Sequence, residues 1–279
     1  MKLFKAHGLG NDYLVLETSE AMDPARVRWI CDRNSGVGAD GVLEPRPSKV
    51  ADHGLRIWNP DGSTAEKSGN GIRIFAHWCW MQGAGSVFTV DTGSAVVHCE
   101  VLSPGSIRVE MGQASVDPAA VGLDASAPWV DHELDLGEGQ VRPATAISVG
   151  NPHCVLFSNA ADLEDEPWRL WGAALEVDLR FRHRTNVQLA RVLSAQSLEI
   201  RIHERGAGPT LASGSSSCAV VAASVLTGRT QPGTHEVMMP GGRLQVVCTQ
   251  DLRLTLTGPV AEIGRFEVSE RADVPSAVH

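Results

Sequence analysis

Two segments of the chain repeat one order of apolar and polar positions. Each begins with a short apolar run, continues through a polar loop that ends in Ser-Gly, and closes on a stretch with apolar residues at helical spacing. The segments cover residues 55–76 and 200–221, and a gapless alignment places Ser68 on Ser213 and Gly69 on Gly214. The pattern predicts a strand, a loop and a helix in each segment, with helices over about 71–82 and 215–226.

The start of each predicted helix has the properties of an anion site. The first turn of a helix has backbone N–H groups without intrahelical partners, and the positive end of the helix dipole lies there. Most single Ser-Gly pairs are plain helix caps. Two pairs in matching context, one in each half of the chain, favour instead one ligand held between two related domains.

Most of the remaining chain is strand-like. A helix is predicted to begin at Asp23-Pro24, with Asp as cap and Pro in the first turn, and to run to about Asn34. A shorter helix is predicted from Asp165 through Trp171. Few helices, many strands and one apolar helix per half indicate sheets curled around a helix, and a doubly wound parallel sheet is not expected. A passage rich in Pro, Gly, Asp and Ala over 113–140 predicts a domain boundary near Asp117.

Composition and charge limit the possible functions. The formal net charge is −9 and the basic residues are scattered, so nucleic acid is not expected as a ligand. The N-terminal residues are not typical of a secretory signal and no apolar run is long enough to cross a bilayer, so no membrane association is expected. The six cysteines are widely spaced without a Cys-x-x-Cys pair, which argues against a zinc site or a disulfide framework and fits a reducing cytoplasm.

One glycine-rich stretch has the spacing of a dinucleotide-binding fingerprint. Gly36-Val37-Gly38-Ala39-Asp40-Gly41 matches Gly-x-Gly-x-x-Gly. That fingerprint must follow a strand and open a helix, whereas this stretch follows a predicted helix and leads into an extended run. We therefore do not interpret it as a nucleotide site.

Seven short motifs occur in a fixed order along the chain. They are His7-Gly8-Leu9-Gly10-Asn11-Asp12, Gly36-Val37-Gly38-Ala39-Asp40-Gly41, Asn59-x-Asp61-Gly62-Ser63, Gly69-Asn70-Gly71-Ile72-Arg73, Gly150-Asn151-Pro152-His153, Thr185-Asn186-Val187 and Glu204-Arg205-Gly206-x-Gly208. Together they resemble those of the diaminopimelate epimerases, and they span nearly the whole chain. The resemblance implies an α+β fold of two pseudosymmetric domains, each a barrel-like mixed β-sheet around a central helix. It places residues 1–117 plus 263–279 in the first domain and 118–262 in the second.

The resemblance also implies a reaction. The family consists of PLP-independent isomerases of lysine biosynthesis that interconvert LL- and meso-diaminopimelate. They remove the α-proton from one face and return a proton to the other. Two cysteines act as the bases, each at a helix N-terminus, where the thiol pKa is lowered. The chain is therefore expected to be a cytoplasmic, homodimeric enzyme with no cofactor and no metal, acting on a diamino-diacid or a similar amino acid.

The chain departs from the family at both catalytic positions. Ser68 and Ser213 stand where the family has its cysteines. A serine hydroxyl is a far poorer base than a thiolate at neutral pH. Cys79 and Cys218 lie too far along the helices to replace them, and Cys218 is expected to face the core. Little or no epimerase activity is therefore expected of this sequence.

Three explanations of the serines stay open. The two cysteines could have been replaced by engineering, which the symmetric pattern favours. The chain could be a natural relative with another reaction, such as a dehydratase or isomerase in which serine and His153 handle the proton. It could also be an amino-acid-binding protein without turnover.

The resemblance implies roles for further residues. Arg205 suits the distal carboxylate of the substrate, because a guanidinium grips a carboxylate through two hydrogen bonds, and Glu204 suits an ammonium group. His153 corresponds to a supporting residue that flanks the first catalytic position. Alone, each asparagine is equally typical of a turn, and Glu204-Arg205 of a surface pair. The other implied substrate contacts are Asn11, Asn59, Gly69, Asn70, Asn151, Asn186, Gly214 and Ser215.

Overall fold

The computed structural model describes residues 1–18, 21–65, 67–137 and 139–269. The chain forms two compact units, one of Met1–Val109 with Gly258 onward and one of Glu110–Thr257. The domain boundaries were predicted at 117 and 262, and the polar passage that suggested the first begins at Gln113, the last residue of strand β8, Ser106–Gln113. Residues 270–279 of the predicted first domain lie outside the described residues.

The first unit is a mixed sheet with a helix at its centre. Its helices are α1 (Pro24–Cys31) and α2 (Gly69–Met81). Its strands are β1 (Lys2–Gly8), β2 (Asn11–Leu16), β3 (Val42–Arg46), β4 (His53–Trp58), β5 (Thr64–Ala65), β6 (Val87–Asp91), β7 (Val96–Ser103), β8 and β18 (Ala261–Glu267). Helix α2 packs against β1, β2 and β7. The side chains of Ile72, Ile74, Phe75 and Ala76 are almost completely buried there.

The second unit has the same plan. Its helices are α3 (Pro118–Val121), α4 (Trp168–Glu176) and α5 (Gly214–Leu226). Its strands are β9 (His132–Asp135), β10 (Val141–Ser148), β11 (Pro152–Phe157), β12 (Asn186–Ser194), β13 (Ser197–Glu204), β14 (Gly208–Thr210), β15 (Gly233–Met239), β16 (Gly242–Cys248) and β17 (Arg253–Pro259). Helix α5 packs against β10–β13, β15 and β16, and it is apolar nearly all round, as a central helix must be.

Strand order and direction are the same in the two sheets. The first runs β18-β1-β2-β3-β4-β6-β7-β8, with β5 also paired to β4. The second runs β9-β10-β11-β12-β13-β15-β16-β17, with β14 also paired to β13. In both, the third and fifth pairs along the row are parallel and the others antiparallel. The predicted α+β class, with two related units built of a mixed sheet around a central helix, is confirmed.

Several predicted helix bounds are wrong for local reasons. Helix α1 ends at Cys31 rather than near Asn34, because the Asp32 carboxylate accepts the amides of Asn34 and Ser35 and turns the chain. Helix α4 begins at Trp168, and the predicted start at Asp165 belongs to a separate 3₁₀ turn, Leu163–Asp165.

Strands β1 and β2 form a hairpin in which only Leu9 and Gly10 connect them. Both residues have positive φ, 58° and 91°, as a two-residue hairpin turn requires. The polar passage 113–140 contains the short elements α3 and β9.

Candidate active site

The start of α2 is built around Ser68. The residue has extended backbone geometry, with φ −141° and ψ 112°, and its Oγ accepts the amide N–H of Gly71 at 3.0 Å. The helix therefore starts at Gly69, two residues before the predicted start, since the serine is its cap. Among the described residues, nothing accepts from the amide N–H groups of Gly69 and Asn70. Two donors are thus available to an anion beside a half-buried hydroxyl.

Asn11 and Asn70 lie together at this helix start. The Asn70 side chain donates to Asn11 Oδ1 at 3.0 Å, and Asn11 in turn donates to the carboxylate of Asp40 at 2.8 Å. The fully buried Arg73 donates to Asn70 Oδ1 at 2.8 Å. Asn59, by contrast, donates to Ser63 Oγ at 2.9 Å within its own turn. The structure therefore brings together Asn11, Asn70 and Ser68, and shows Asn59 in a separate turn.

An ionic cluster holds the Asp40 carboxylate, which accepts a hydrogen bond from Asn11. Arg33 bonds both Asp12 and Asp40 at 2.7 Å, and Lys5 bonds Asp12 at 2.9 Å. Burial by itself raises the pKa of Asp12, but the bonds from Arg33 and Lys5 outweigh it and leave the pKa below its ordinary value. The Asp12 carboxyl therefore stays ionised at neutral pH, and its ion pairs connect β2 to Lys5 and Arg33.

Tyr13 is a site residue that the sequence reasoning missed. Its hydroxyl lies 3.0 Å from Ser68 Oγ, and its side chain is 7% exposed. Tyr13 follows Asn11 by two residues in β2, so both side chains project from the same face of the strand. That two-residue spacing behind a predicted site asparagine is the signal that could have found it.

Gly41 makes room for this tyrosine. A Cβ at position 41 would lie 2.6 Å from the ring carbon Cε1 of Tyr13 and 2.4 Å from the carbonyl oxygen of Trp58. Neither approach is sterically possible without movement. Only glycine therefore fits beside Tyr13 as the ring is placed here.

The start of α5 is built in the same way around Ser213. Its Oγ accepts the amide of Ser216 at 3.4 Å and lies 3.4 Å from Ser215 Oγ, and the helix starts at Gly214. Nothing among the described residues accepts from the amides of Gly214 and Ser215. Ser213 is only 3% exposed, so its hydroxyl is less accessible than that of Ser68.

His153 is buried and neutral. Its Nε2 lies 3.0 Å from Asn151 Oδ1, while its Nδ1 has no hydrogen-bond partner among the described residues. Burial lowers the pKa of His153 to about 3, with the charge of Arg205 acting in the same direction and Gln188 opposing both. Gln188, in β12, donates to Ser216 Oγ at 3.0 Å, and so connects β12 to the first turn of α5.

Asn186 and Arg205 are also brought together. Asn186 donates to the carbonyl of Pro152 at 2.8 Å and accepts the backbone N–H of Arg205 at 3.0 Å. The Arg205 guanidinium donates to the carbonyl of His183 at 3.1 Å. Glu204 is the last residue of β13 and pairs across the strand with Gly208.

Glu176 supports this loop, and the sequence reasoning missed it as well. It accepts the amide of Gly206 at 2.8 Å, lies 2.9 Å from His203 Nε2, and forms an ion pair with Arg184 at 3.0 Å. Burial raises the pKa of Glu176, but these partners outweigh it and hold the carboxyl ionised. Its position at the end of α4 gave no sequence signal, because the predicted helix ended at Trp171.

The cysteines cannot serve as bases in place of the serines. All six are buried, and Cys218 lies in the core as expected. Burial raises the pKa of Cys31, Cys79 and Cys154 to about 12 and that of Cys248 to about 11. These thiols are therefore protonated at neutral pH, and none lies at the start of α2 or α5.

Two further results come from the described part of the chain. No helix in it is both long and apolar enough to span a bilayer. No group of three or more His, Cys, Asp and Glu side chains in it could hold a metal ion.

Comparisons with known proteins agree with this geometry. The family model described as diaminopimelate epimerase matches residues 3–116 and 145–263. A diaminopimelate epimerase from Desulforudis audaxviator is 41% identical over 274 residues, covering 94% of this chain and 97% of the relative. Diaminopimelate epimerase 2 from Nostoc sp. is 38% identical over 279 residues, covering 96% of each chain.

Solved structures share the fold at lower identity. The phenazine biosynthesis protein of the PhzF family from Bacillus anthracis has a TM-score of 0.70 at 15% identity, covering 96% of this chain and 99% of that one. A probable proline racemase from Agrobacterium radiobacter K84 has a TM-score of 0.69 at 13% identity, covering 98% of this chain and 94% of that one.

Proposed function

Because this chain belongs to the diaminopimelate epimerase family, an isomerase family, we propose that it binds diaminopimelate or a closely similar diamino-diacid. We propose further that it interconverts the LL and meso forms poorly or not at all as long as serine occupies positions 68 and 213. Diaminopimelate is what the named relatives act on.

One observation carries the proposal. Each unit presents a helix start with a capping serine and two amide N–H groups that no described residue uses, at Gly69-Asn70 in α2 and Gly214-Ser215 in α5. Such amides, with the helix dipole behind them, stabilise a carboxylate and also the negative charge that develops on it when the α-proton leaves. The sites therefore suit an amino acid whose α-carbon loses a proton.

The side chains around each helix start suit an amino-acid group. In unit 1, Asn11 and Asn70 are held rigidly by Asp40 and Arg73, so their remaining polar atoms are pre-oriented. In unit 2, Asn151, Glu204 and Arg205 are proposed to contact the distal amino-acid end, and Asn186 is proposed to act there by holding Arg205. In unit 1, Asn59 is proposed to contact substrate from its turn.

The serines limit the chemistry. Removing a weakly acidic α-proton requires a base within hydrogen-bond reach, and a serine hydroxyl needs a neighbouring base to act as one. The buried thiols of Cys31, Cys79, Cys154 and Cys248 are protonated, and none of them lies at the start of α2 or α5. Binding should therefore be retained although inversion is lost.

The test separates binding from turnover. Isothermal titration calorimetry with meso-diaminopimelate, and with lysine as the analogue that lacks the distal carboxylate, should show specific binding of the diacid. Proton NMR in deuterated water should show little or no inversion. If diaminopimelate binds no better than lysine, or if it is inverted at the rate of a cysteine variant of the same chain, the proposal is wrong.

A further inference from the structure

We propose that Tyr13 and Ser68 form a proton-transfer pair, so that unit 1 retains an acid–base function while unit 2 does not. This inference rests on the proposed function, in which Ser68 faces the α-carbon of a bound amino acid. Tyr13 acts through Ser68 and is therefore a positioning residue for the proton rather than a direct contact of the substrate.

The geometry of the pair supports direct exchange of a proton. The two oxygens are 3.0 Å apart, which is within hydrogen-bond distance. Ser68 Oγ also accepts the Gly71 amide at 3.0 Å, so one of its lone pairs is stabilised by a helix donor. Negative charge that forms on this oxygen lies at the positive end of α2.

The residues around the Tyr13 ring accommodate it closely. Tyr13 lies in β2 opposite Ala6 of β1, and a side chain at Gly41 would collide with the tyrosine ring. The absence of a side chain at Gly41 leaves space for the ring where it lies, with its hydroxyl 3.0 Å from Ser68 Oγ.

The second unit has a titratable residue at the equivalent strand position, but among its described residues no such pair with Ser213 is found. The strand turn Gly10-Asn11-Asp12-Tyr13 corresponds to Gly150-Asn151-Pro152-His153, in β2 and in β11 respectively. His153 bonds Asn151 instead of Ser213, and burial keeps it neutral with a pKa of about 3. The hydroxyl of Ser213 bonds Ser215 and the Ser216 amide, neither of which accepts a proton near neutral pH. The two helix starts are therefore chemically unequal.

The proposed step is balanced without any added reactant. Ser68 Oγ takes the proton of the substrate α-C–H bond and passes its own hydroxyl proton to the phenolate oxygen of Tyr13. The electron pair of the broken C–H bond stays on the α-carbon and is delocalised into the carboxylate that the α2 amides hold. In the reverse direction, Ser68 returns a proton to the same face and Tyr13 reprotonates Ser68.

The pH dependence follows from the phenol. The step needs the phenolate form of Tyr13, and an ordinary tyrosine has a pKa of about 10. The exchange rate should therefore rise with pH until the phenol is ionised. Charged and titratable groups on the elements packed around Tyr13 include Asp12 in β2, Lys5 and His7 in β1, Glu44 in β3, and Arg73 and His77 in α2. Asp12 is paired with Lys5 and Arg33, and His77 lies 3.0 Å from Glu262. Glu44 lies near Arg46 and Arg56, and Arg73 donates to Asn70.

The sequence provides a direct way to test the pair, because Tyr13 is the only tyrosine among the 279 residues. Growth on 3,5-difluorotyrosine therefore places an acidified, fluorine-labelled phenol at position 13 alone in an untagged protein. Fluorine NMR reports ionisation of that phenol, and proton NMR in deuterated water reports exchange of the α-proton of each diaminopimelate stereoisomer. The two readouts are independent of each other.

The expected result has three parts. The unmodified protein exchanges the α-proton of one configuration only, and the rate rises with pH. Fluorination moves the exchange profile to lower pH by the same amount as the fluorine titration. Tyr13→Phe slows exchange about 100-fold with little change in diaminopimelate Kd, a loss within the range of a positioned acid or base. Ser103→Ala, which removes an exposed hydroxyl from β7, serves as the matched control and leaves exchange unchanged.

Different failures have different meanings. If Tyr13→Phe exchanges at the unmodified rate, or if fluorination leaves the exchange profile in place, the pair does not act. If no exchange occurs up to pH 9.5 in a protein that binds diaminopimelate, Tyr13 and Ser68 are inactive while the proposed substrate stands. If diaminopimelate does not bind at all, the proposed function fails and this inference fails with it.

Discussion

Asn186 holds the backbone of Arg205, because its Oδ1 accepts the Arg205 N–H at 3.0 Å while its amide nitrogen donates to the carbonyl of Pro152 at 2.8 Å. Both ends of this 5% exposed side chain are thus occupied by the protein. Asn186 is therefore positioned to place Arg205, and its effect on a ligand should pass largely through that arginine.

The coupling can be measured with a double-mutant cycle. Asn186→Ala removes the two hydrogen bonds that hold the Arg205 backbone and should weaken diaminopimelate binding about tenfold, which corresponds to about 1.4 kcal/mol. In an Arg205→Ala background the same change should weaken binding much less, because the group that it positions is gone. Calorimetric Kd values for the parent, the two single variants and the double variant give the coupling free energy between Asn186 and Arg205. Additive losses would instead show that Asn186 contacts the ligand itself.

The Arg205 side chain should discriminate between ligands by their distal carboxylate. Arg205→Ala should weaken binding of diaminopimelate about 10- to 100-fold, the range for a charged hydrogen bond, and should leave lysine binding nearly unchanged. Arg182→Ala is the matched control, because Arg182 is an exposed arginine that bonds the exposed Asp124. Equal losses for both ligands would remove Arg205 from the distal site.

Restoring thiols should restore inversion. A cysteine at position 68 or 213 would lie at a helix N-terminus, where the dipole and free amides lower a thiol pKa. Ser68→Cys alone should speed exchange of the α-proton of one stereoisomer, and Ser213→Cys alone should add exchange of the other to the slow exchange that Tyr13 and Ser68 support. Only the double variant should invert diaminopimelate rapidly, with a gain of about 10²–10⁴-fold per positioned base and without simple additivity.

Proton NMR in deuterated water and polarimetry distinguish exchange from inversion in these variants. Ser103→Cys, at an exposed position on β7, controls for the presence of an extra thiol. A double-cysteine variant that binds diaminopimelate but neither exchanges nor inverts it would show that the epimerase assignment is wrong for this chain.

Buried His153 should make stability depend on pH between 5 and 7. Burial lowers its pKa from 6.5 to about 3 in the folded state. Because the unfolded chain binds the proton and the folded chain does not, this stability is present above pH 6.5 and is lost as the pH falls. The loss for this one group is about 2 kcal/mol at pH 5.

The measurement is urea denaturation at pH 5, 6 and 7. His153→Gln should reduce the dependence of unfolding free energy on pH, whatever its effect on stability at pH 7. His235, whose pKa is also lowered by burial, accounts for part of the remaining slope. His98→Gln, at an exposed position of β7, should leave the slope unchanged, and a His153→Gln slope equal to that of the parent would contradict the prediction.

The central helices and their caps were predictable because they depend on local pattern. The spacing of apolar residues identified α2 and α5, and the Ser-Gly pairs marked their starts within two residues. The repeat of Ser68 and Ser213 in matching context also predicted two related units. Helix ends and short elements were less predictable. Asp32 ends α1 through its own side chain, and such local capping competes with helical spacing.

Within the site, the types of residue were predictable but most of their partners were not. The family motifs identified Asn11 and Asn70, which are 59 positions apart in sequence, but their hydrogen bond depends on how β2 approaches α2. Tyr13 and Glu176 lie outside the positions that the reasoning took as substrate contacts, and only the folded geometry gives them neighbours. Which neighbouring strands are parallel and which are antiparallel likewise depends on long-range pairing rather than on any local pattern.

The burial of every native cysteine has a practical consequence for labelling chemistry. A protonated thiol enclosed in a core does not react with iodoacetamide while the protein is folded, since the thiolate is the nucleophile. A cysteine introduced at position 68 would therefore be alkylated while the buried cysteines stay unreacted. The pH dependence of that single reaction would report directly the acidity that the start of α2 confers on a thiol.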